Sequence, residues 1–322
     1  MALLDSEGIP VLKALSRRQF LKVTGAATVG VTLLGAGCTA QPTEQPQPST
    51  PSGRQTYLAV ARGGDPAAIT KAAIAALGGI ERFVRPGNEV IIKPNICVAY
   101  HPPEYAATTN PTVVATLVAL CRGAGARRVR VMDIPFGGTP ESAYAISGIE
   151  EAVNVAGGEM EVMSPVKFVK TPIPEGRDIT EWEVYRDVLE ADLVINVPIA
   201  KHHSLARLTL GGKNLLGVIT RRSSMHRNLG QRIADLVSVV RPTLTVVDAV
   251  RILVEHGPTG GSLNDVKKMD TVIASHDIVA ADAYAATLFG LTGADIGYVQ
   301  AAAEMGLGTL DLGSVRIEEI NV

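Results

Sequence analysis

Short apolar segments alternate with helical segments from residue 56 to the end of the chain, and this alternation constrains the fold more than any other feature. The predicted strands are residues 56–61, 89–93, 127–133, 192–197, 244–248, 271–275 and 314–320. The predicted helices are residues 66–77, 111–122, 228–240 and 277–289. Strands that are joined through helices pair in parallel with right-handed crossovers. We therefore predict an α/β fold with parallel, doubly wound sheets.

The chain that follows residues 1–37 is long enough for two modest domains or for one large α/β domain. We predict two lobes with a cleft between them. The N-terminal α/β lobe covers residues 56–190 and includes a small irregular subdomain after residue 133, and the C-terminal α/β lobe covers residues 191–322. Asp65 and Asn110, each followed by proline, and Asp277 are predicted N-caps, because short polar side chains accept the free N–H groups of a first helical turn.

Polar residues follow most of the predicted strands. Lys93 and Asn95 follow the second strand, Asp133 ends the third, and Lys201 and Asp248 follow two later strands. In parallel α/β sheets, ligands bind beyond the carboxyl ends of the strands. Basic groups and carboxylates that recur there predict a site for a small anionic ligand or a metal.

The densest polar segment runs from residue 201 to residue 226. It contains adjacent histidines at 202 and 203, glycines at 211, 212 and 217, Lys213, and His226. We predict that backbone amides at a helix start near Lys213 bind phosphate or carboxylate. Imidazole serves as general base or metal ligand near neutral pH, and one histidine of an adjacent pair on extended chain faces the opposite way from the other.

Two further features leave alternatives open. The glycine-rich segment 254–261 is either a loop that closes over the cleft with Glu255 or His256 reaching in, or a surface turn. Cys97 and Cys121 either form a disulfide in an oxidising compartment or are free thiols, with Cys121 a small core residue. Their spacing matches no zinc or iron–sulfur ligand set.

The first 37 residues have the pattern of a twin-arginine signal peptide, with Arg17 and Arg18 before the uncharged run 23–37. This run is shorter than the roughly 20 apolar residues of a permanent span. Cys38 is positioned for lipid attachment, which would anchor the protein to the membrane; ordinary cleavage and an unanchored periplasmic product are the alternative. Residues 38–55, rich in Pro, Gln, Ser and Thr, are predicted to be a linker. The net charge of −2 does not suggest a nucleic-acid partner.

Several of these motifs together resemble the family called domain of unknown function 362 (DUF362). The resemblance covers roughly residues 57–320 and rests on Lys93-Pro94-Asn95, Thr109-Asn110-Pro111, Lys201-His202-His203, Lys213-Asn214-Leu215-Leu216-Gly217, Asp248, Glu255-His256-Gly257-Pro258 and the segment 277–282. Many members carry a four-cysteine ferredoxin-like module. This chain has no such cysteines, so no iron–sulfur cluster is expected.

That family is distantly similar to lactate-racemase-type nickel-pincer enzymes, two-domain α/β proteins with the active site between the domains. The resemblance implies that His203 is a general base and that His226 is a metal ligand. It implies that Lys213 tethers a cofactor. The clustering of polar residues at strand ends adds Lys201 and Asp248 as candidate catalytic residues. The residues implied to bind the cofactor are Lys213, Asn214, Lys93, Asn95 and Thr109.

Departures from the racemase pattern limit this comparison. The segment 108–111 lacks the arginine of the phosphate motif, and the segment 133–138 lacks a second catalytic histidine. Racemisation needs acid–base groups on both faces of a carbon, so we do not expect a racemase proper. Three hypotheses follow from the sequence: an exported enzyme that binds a small anionic substrate or cofactor, with or without a metal; a non-catalytic solute-binding lipoprotein; and an envelope scaffold with a relict site.

Overall fold

The structure is a computed structural model, and it describes residues 57–322. The strands are β1 (Leu58–Arg62), β2 (Glu89–Pro94), β3 (Arg128–Val131), β4 (Glu159–Met160), β5 (Phe168–Pro172), β6 (Glu181–Tyr185), β7 (Leu193–Val197), β8 (Ile199–His203), β9 (Arg207–Thr209), β10 (Leu244–Leu253), β11 (Val266–Ser275) and β12 (Ile317–Asn321). The α-helices are α1 (Pro66–Ala76), α2 (Pro111–Gly123), α3 (Pro140–Ile146), α4 (Ile149–Val155), α5 (Arg186–Glu190), α6 (Gly211–Asn214), α7 (Leu229–Val240), α8 (Ile278–Thr287) and α9 (Gly297–Glu304).

Ten strands form one mostly parallel sheet. Its order is β12-β1-β11-β10-β7-β2-β3-β4, with β8 paired to β10 and β9 paired to β8. The run β10-β7-β2-β3-β4 is parallel throughout, as the alternation of strands and helices predicts. A separate antiparallel hairpin, β5–β6, lies in the predicted irregular segment.

Helices cover both faces of the sheet, so the doubly wound α/β prediction is confirmed. On β1, Ala59 and Ala61 pack into one core cluster with α1, α2 and α4, whereas Leu58 and Val60 pack into the other with α7, α8 and α9. This division follows from the strand period of two, which sends successive side chains to opposite faces. Each face therefore has its own apolar core.

The sheet is not parallel throughout, which corrects the sequence prediction. β11 runs antiparallel to both of its neighbours, β1 and β10. The segment between β10 and β11 contains only a short 3₁₀ turn, Leu263–Asp265. A parallel pair needs a longer crossover, usually a helix, so these two strands can pair only as an antiparallel ribbon.

The predicted division into two lobes is not confirmed. The described residues belong to one compact unit, and strands from both predicted lobes interleave in the same sheet, with β7 next to β2 and β11 next to β1. The interlobe cleft is likewise not confirmed. The predicted signal peptide and the whole of the predicted linker lie outside the described residues.

The helix starts follow the predicted caps. Asp65, Asn110 and Asp277 are the N-caps of α1, α2 and α8, and each side chain accepts a backbone N–H of the first turn. Among residues 57–322, no helix is both long and apolar enough to cross a membrane.

Candidate functional site

Lys93, near the end of β2, is a buried ammonium whose donors are all used by the protein. Its Nζ lies 2.7 Å from Asp133 Oδ1 and donates to Asn214 Oδ1 at 2.9 Å and to the Pro94 carbonyl at 2.8 Å. The Asp133 carboxylate also accepts two backbone N–H groups, at 2.6 and 2.9 Å. Burial lowers the pKa of Lys93 and raises that of Asp133, while their mutual attraction opposes both shifts. Since an ammonium has three donors, Lys93 has none left for a ligand.

Three asparagines connect β2, β7 and α6. Asn214 Oδ1 accepts from Asn95 Nδ2 at 3.0 Å as well as from Lys93, and Asn214 Nδ2 donates to Asn196 Oδ1 at 2.9 Å and to the Lys93 carbonyl at 3.2 Å. Asn214 is therefore saturated and does not face a ligand. Asn95 Oδ1, in contrast, is a buried acceptor with no hydrogen-bond partner in the described part of the chain.

Thr109 and Asp248 are also saturated. The Thr109 hydroxyl donates to the Val197 carbonyl and accepts the N–H of Asn95, both at 2.8 Å. The Asp248 carboxylate accepts the backbone N–H groups of Asn110 and Val250 at 2.7 and 2.9 Å. Burial raises the pKa of Asp248 to about 6, although both hydrogen bonds oppose the shift. These contacts favour a positioning role for Asp248 rather than the predicted catalytic one.

Lys201, on β8, is buried beside the loop 254–261. Its Nζ donates to the carbonyls of Ala107 and Pro258 at 2.6 and 2.9 Å, and a hydrogen bond to the Cys97 side chain uses its third N–H. Burial lowers the pKa of Lys201, and the neighbouring Cys97 opposes this shift. The Cys97 Sγ lies 3.5 Å from the Pro258 carbonyl oxygen, and both cysteines beyond residue 56 are free thiols.

The loop 254–261 contacts β8 through its backbone. The Gly257 N–H donates to His202 Nδ1 at 3.0 Å, and the Pro258 carbonyl accepts from Lys201. The side chains of Glu255 and His256 are exposed. The loop therefore packs over Lys201, while its acidic and imidazole groups lie at the surface.

His203 is a buried neutral imidazole with a defined tautomer. Its Nδ1 accepts the backbone N–H groups of Leu205 and Ala206 at 3.1 and 3.2 Å, so the proton of the neutral ring is on Nε2. Burial lowers the pKa of His203 to about 3, and the positive charges of Lys213 and Lys201 contribute to this shift. His203 thus offers a hydrogen-bond donor at Nε2, which argues against the predicted general-base role.

Lys213, in the short helix α6, carries an amine that no group within residues 57–322 neutralises. Its side chain is partly exposed, and Nζ has no hydrogen-bond or ion-pair partner within residues 57–322. Burial lowers the pKa of Lys213 to about 8; the charges of Lys201, Arg222 and Lys93 act in the same direction, and Cys97 opposes them. We call Lys93, Lys201, Lys213 and Arg222 the cationic cluster.

The start of α6 does not bind a ligand as the sequence predicts. The N–H groups of Gly211 and Gly212 donate to the two carboxylate oxygens of Asp282, at 2.6 and 2.8 Å. Burial raises the pKa of Asp282 to about 7, while these two hydrogen bonds oppose the shift. The protein therefore supplies its own carboxylate where a phosphate or carboxylate ligand is predicted.

The residues near the cationic cluster do not fit a metal ion. His226, the predicted metal ligand, is exposed and lies close enough to His203 for its charge to lower the pKa of that ring. His226 does not belong to the group of potential metal ligands found within residues 57–322. That group is Glu255, His256 and Asp265, whose ligand atoms lie within 4.8 Å of one another. Ammonium groups beside the histidines also repel a divalent cation.

Sequence reasoning missed Asn196 and Asp282 and did not assign Asp133 a role. Asn196 is a polar residue inside a buried strand, and Asp282 is an acidic residue inside an otherwise apolar helix. Buried polar groups in such segments need partners, which is the signal that could have identified both. Among the site groups of residues 57–322, those that remain free for a ligand are the Lys213 amine, His203 Nε2–H and Asn95 Oδ1.

The fold and this site define an α/β protein with a cationic cluster at the carboxyl ends of parallel strands, where such sheets bind their ligands. The chain belongs to the family described as Domain of unknown function (DUF362), whose model matches residues 90–287. The matched segment contains the whole cationic cluster, and the family prediction from the sequence is confirmed.

Known proteins that are similar to this chain include the following two. The thylakoid-associated protein sll1697 of Synechocystis sp. (strain ATCC 27184 / PCC 6803 / Kazusa) is 25% identical over 246 residues, which cover 72% of each chain. The solved structure of the lactate racemase apoprotein from Thermoanaerobacterium thermosaccharolyticum matches with a TM-score of 0.45 and 12% identity. That match covers 67% of this chain and 54% of the racemase chain.

Proposed function

We propose that this protein is an enzyme that binds a small anionic substrate or cofactor at Lys213. The observation that carries this proposal is the unpaired Lys213 amine among three other cations. Asp133 is the carboxylate held within the cationic cluster, and it is already paired with Lys93. Two ammonium groups and a guanidinium therefore remain uncompensated, and an anion would relieve their mutual repulsion.

The groups that remain free also suit a small polar ligand. Lys213 and His203 offer donors to a carboxylate or phosphate, and Asn95 Oδ1 offers an acceptor to a hydroxyl or amine on the same molecule. A buried polar atom without a partner costs free energy unless a ligand or water satisfies it. The pattern favours a ligand that is anionic at one end and a hydrogen-bond donor at the other.

Anion binding is tested with oxalate and inorganic phosphate as probes on the full-length chain. We expect isothermal titration to show saturable binding that Lys213→Met abolishes. The matched control is Lys71→Met, because Lys71 is an exposed lysine on α1. Equal affinity of Lys213→Met and the unaltered protein would refute the proposed site.

The same titration separates an enzyme from a solute-binding protein. A binder takes up one ligand per chain and returns it unchanged, whereas an enzyme converts it. Mass spectrometry of the small-molecule fraction after incubation with cell extract as a substrate source, with Lys213→Met in parallel, detects a Lys213-dependent product. Lys213-dependent binding without any product would favour the solute-binding alternative.

We further propose export by the twin-arginine route, which is motivated by Arg17 and Arg18 before the uncharged run 23–37. Replacing both arginines with lysine should leave the protein in the cytoplasm of a host that has this translocon. Intact mass spectrometry of the exported product shows whether Cys38 carries a lipid. Unchanged export of the Arg17→Lys/Arg18→Lys protein would refute the proposed twin-arginine export signal.

A further inference from the structure

Hydrogen bonds of the residues before and after Lys213 hold helix α6 in place. Before it, the Gly211 and Gly212 amides bind Asp282; after it, the Asn214 side chain bonds to Lys93 and to two other asparagines. A four-residue helix with such anchors cannot swing its middle residue away. The backbone of Lys213 is therefore held in a fixed place, while its amine makes no bond of its own to residues 57–322.

The surroundings of Lys213 favour the neutral, nucleophilic form of its amine. With a pKa of about 8, roughly a tenth of these amines are neutral at pH 7, far more than for an ordinary lysine. The groups responsible lie on separate elements: Lys201 on β8, Lys93 on β2, Arg222 in the segment after α6, and the opposing Cys97 after β2. A lysine that is desolvated and placed beside other cations is a recurrent way of activating an amine for attack on a carbonyl.

We propose that Lys213 forms an imine with a 2-oxo carboxylate, an inference that rests on the proposed anion site. The carboxylate of such a ligand would neutralise part of the uncompensated positive charge of the cationic cluster. Its carbonyl carbon is an electrophile next to that charge. His203 Nε2–H is a neutral donor suited to the carbonyl oxygen, because its Nδ1 is occupied by two backbone amides.

The covalent step balances without an oxidant or reductant. The Nζ lone pair attacks the carbonyl carbon and gives a carbinolamine. The hydroxyl of the carbinolamine takes up a proton and leaves as water. The Nζ lone pair then forms the carbon–nitrogen double bond, and Nζ loses its protons to solvent or to the released water. One molecule of water is released for each imine formed.

Borohydride trapping with pyruvate as the probe tests this inference on the full-length chain. We expect intact mass and peptide mapping to show one reduced pyruvate adduct, on Lys213, in more than about tenfold excess over surface lysines such as Lys71, because the neutral fraction at Lys213 is far larger. Lys213→Met should lose the adduct, and Lys71→Met should keep it. Oxalate, which has the charge but no comparable electrophile, should protect Lys213.

The pH dependence gives a second readout. Trapping should increase as the pH is raised through about 8, because attack needs the neutral amine, whereas oxalate binding should weaken over the same range, because it favours the ammonium. Lys213-dependent oxalate binding without a pyruvate adduct would overturn the imine and leave the anion site standing. Loss of both would overturn the proposed function as well, and adducts spread evenly over the lysines would overturn the imine.

Discussion

Removing the Lys213 charge should stabilise the protein while abolishing anion binding. In the folded state this ammonium is buried near other cations with no counterion from residues 57–322, and its pKa falls from 10.5 to about 8. At about 1.4 kcal/mol per pKa unit, the shift corresponds to at most about 3.5 kcal/mol of lost stability at neutral pH. Partial exposure and relaxation reduce this value, so Lys213→Met should raise the free energy of unfolding by about 1–3 kcal/mol.

The pH dependence of this gain identifies its cause. In the unaltered protein, Lys213 releases its proton near pH 8 when folded and near pH 10.5 when unfolded. Between these values unfolding takes up a proton, so raising the pH stabilises the unaltered protein relative to Lys213→Met. The advantage of the variant should therefore be complete below about pH 8 and disappear as the pH approaches 10.5.

Urea unfolding of the full-length chain, followed by circular dichroism at several pH values, measures both quantities. The exposed Lys71→Met protein serves as the control and should stay within about 0.5 kcal/mol of the unaltered chain. A Lys213→Met protein that is less stable at pH 7, or one whose gain is the same at pH 7 and pH 10.5, would refute the reasoning that Lys213 is an uncompensated cation.

Three other changes test the packing beneath Lys213. Gly217→Ala would bring a Cβ within 1.9 Å of Asp133 Oδ1 and 2.6 Å of Lys93 Nζ. It should therefore destabilise the protein by about 1–3 kcal/mol and weaken oxalate binding. The control Gly64→Ala, whose Cβ would meet nothing within 4 Å, should do neither. Asp133→Asn leaves the buried Lys93 without its carboxylate and should lower the free energy of unfolding by about 3–5 kcal/mol in urea titrations. Asp282→Asn should cost about 1–3 kcal/mol, because one of the two amides that begin α6 loses its acceptor, and calorimetry should show weaker oxalate binding as well. An unchanged unfolding midpoint in any of the three would contradict the corresponding contact.

Local chemistry in the sequence was sufficient for the helix starts and for most of the strands. The caps at Asp65, Asn110 and Asp277 are short-range interactions between a side chain and the next few amides, so the pattern of residues contains all the information they need. The general place of the site was predictable for a related reason. Parallel strands carry their carboxyl ends to one side of a sheet, so the residues after β2 and β8 had to approach one another.

Only the tertiary structure decides which of those residues are free. Lys93, Asn214 and Thr109 read as ligand-binding residues in the sequence, but partners from distant segments use all of their donors and acceptors. In the same way, the amides that begin α6 donate their hydrogen bonds to Asp282, about 70 residues further along the chain, and are not available to a ligand.

The amino-acid sequence by itself determined the α/β class, the capped helices and the family of this protein, because these depend on local periodicity and on motifs that are contiguous in the chain. The tertiary structure alone decided the strand order, the antiparallel course of β11, and the position of the Lys213 amine among other cations without a partner in residues 57–322. The physical reason is that hydrogen-bond saturation and charge compensation depend on which distant groups come within about 3 Å, and a linear pattern does not contain that information.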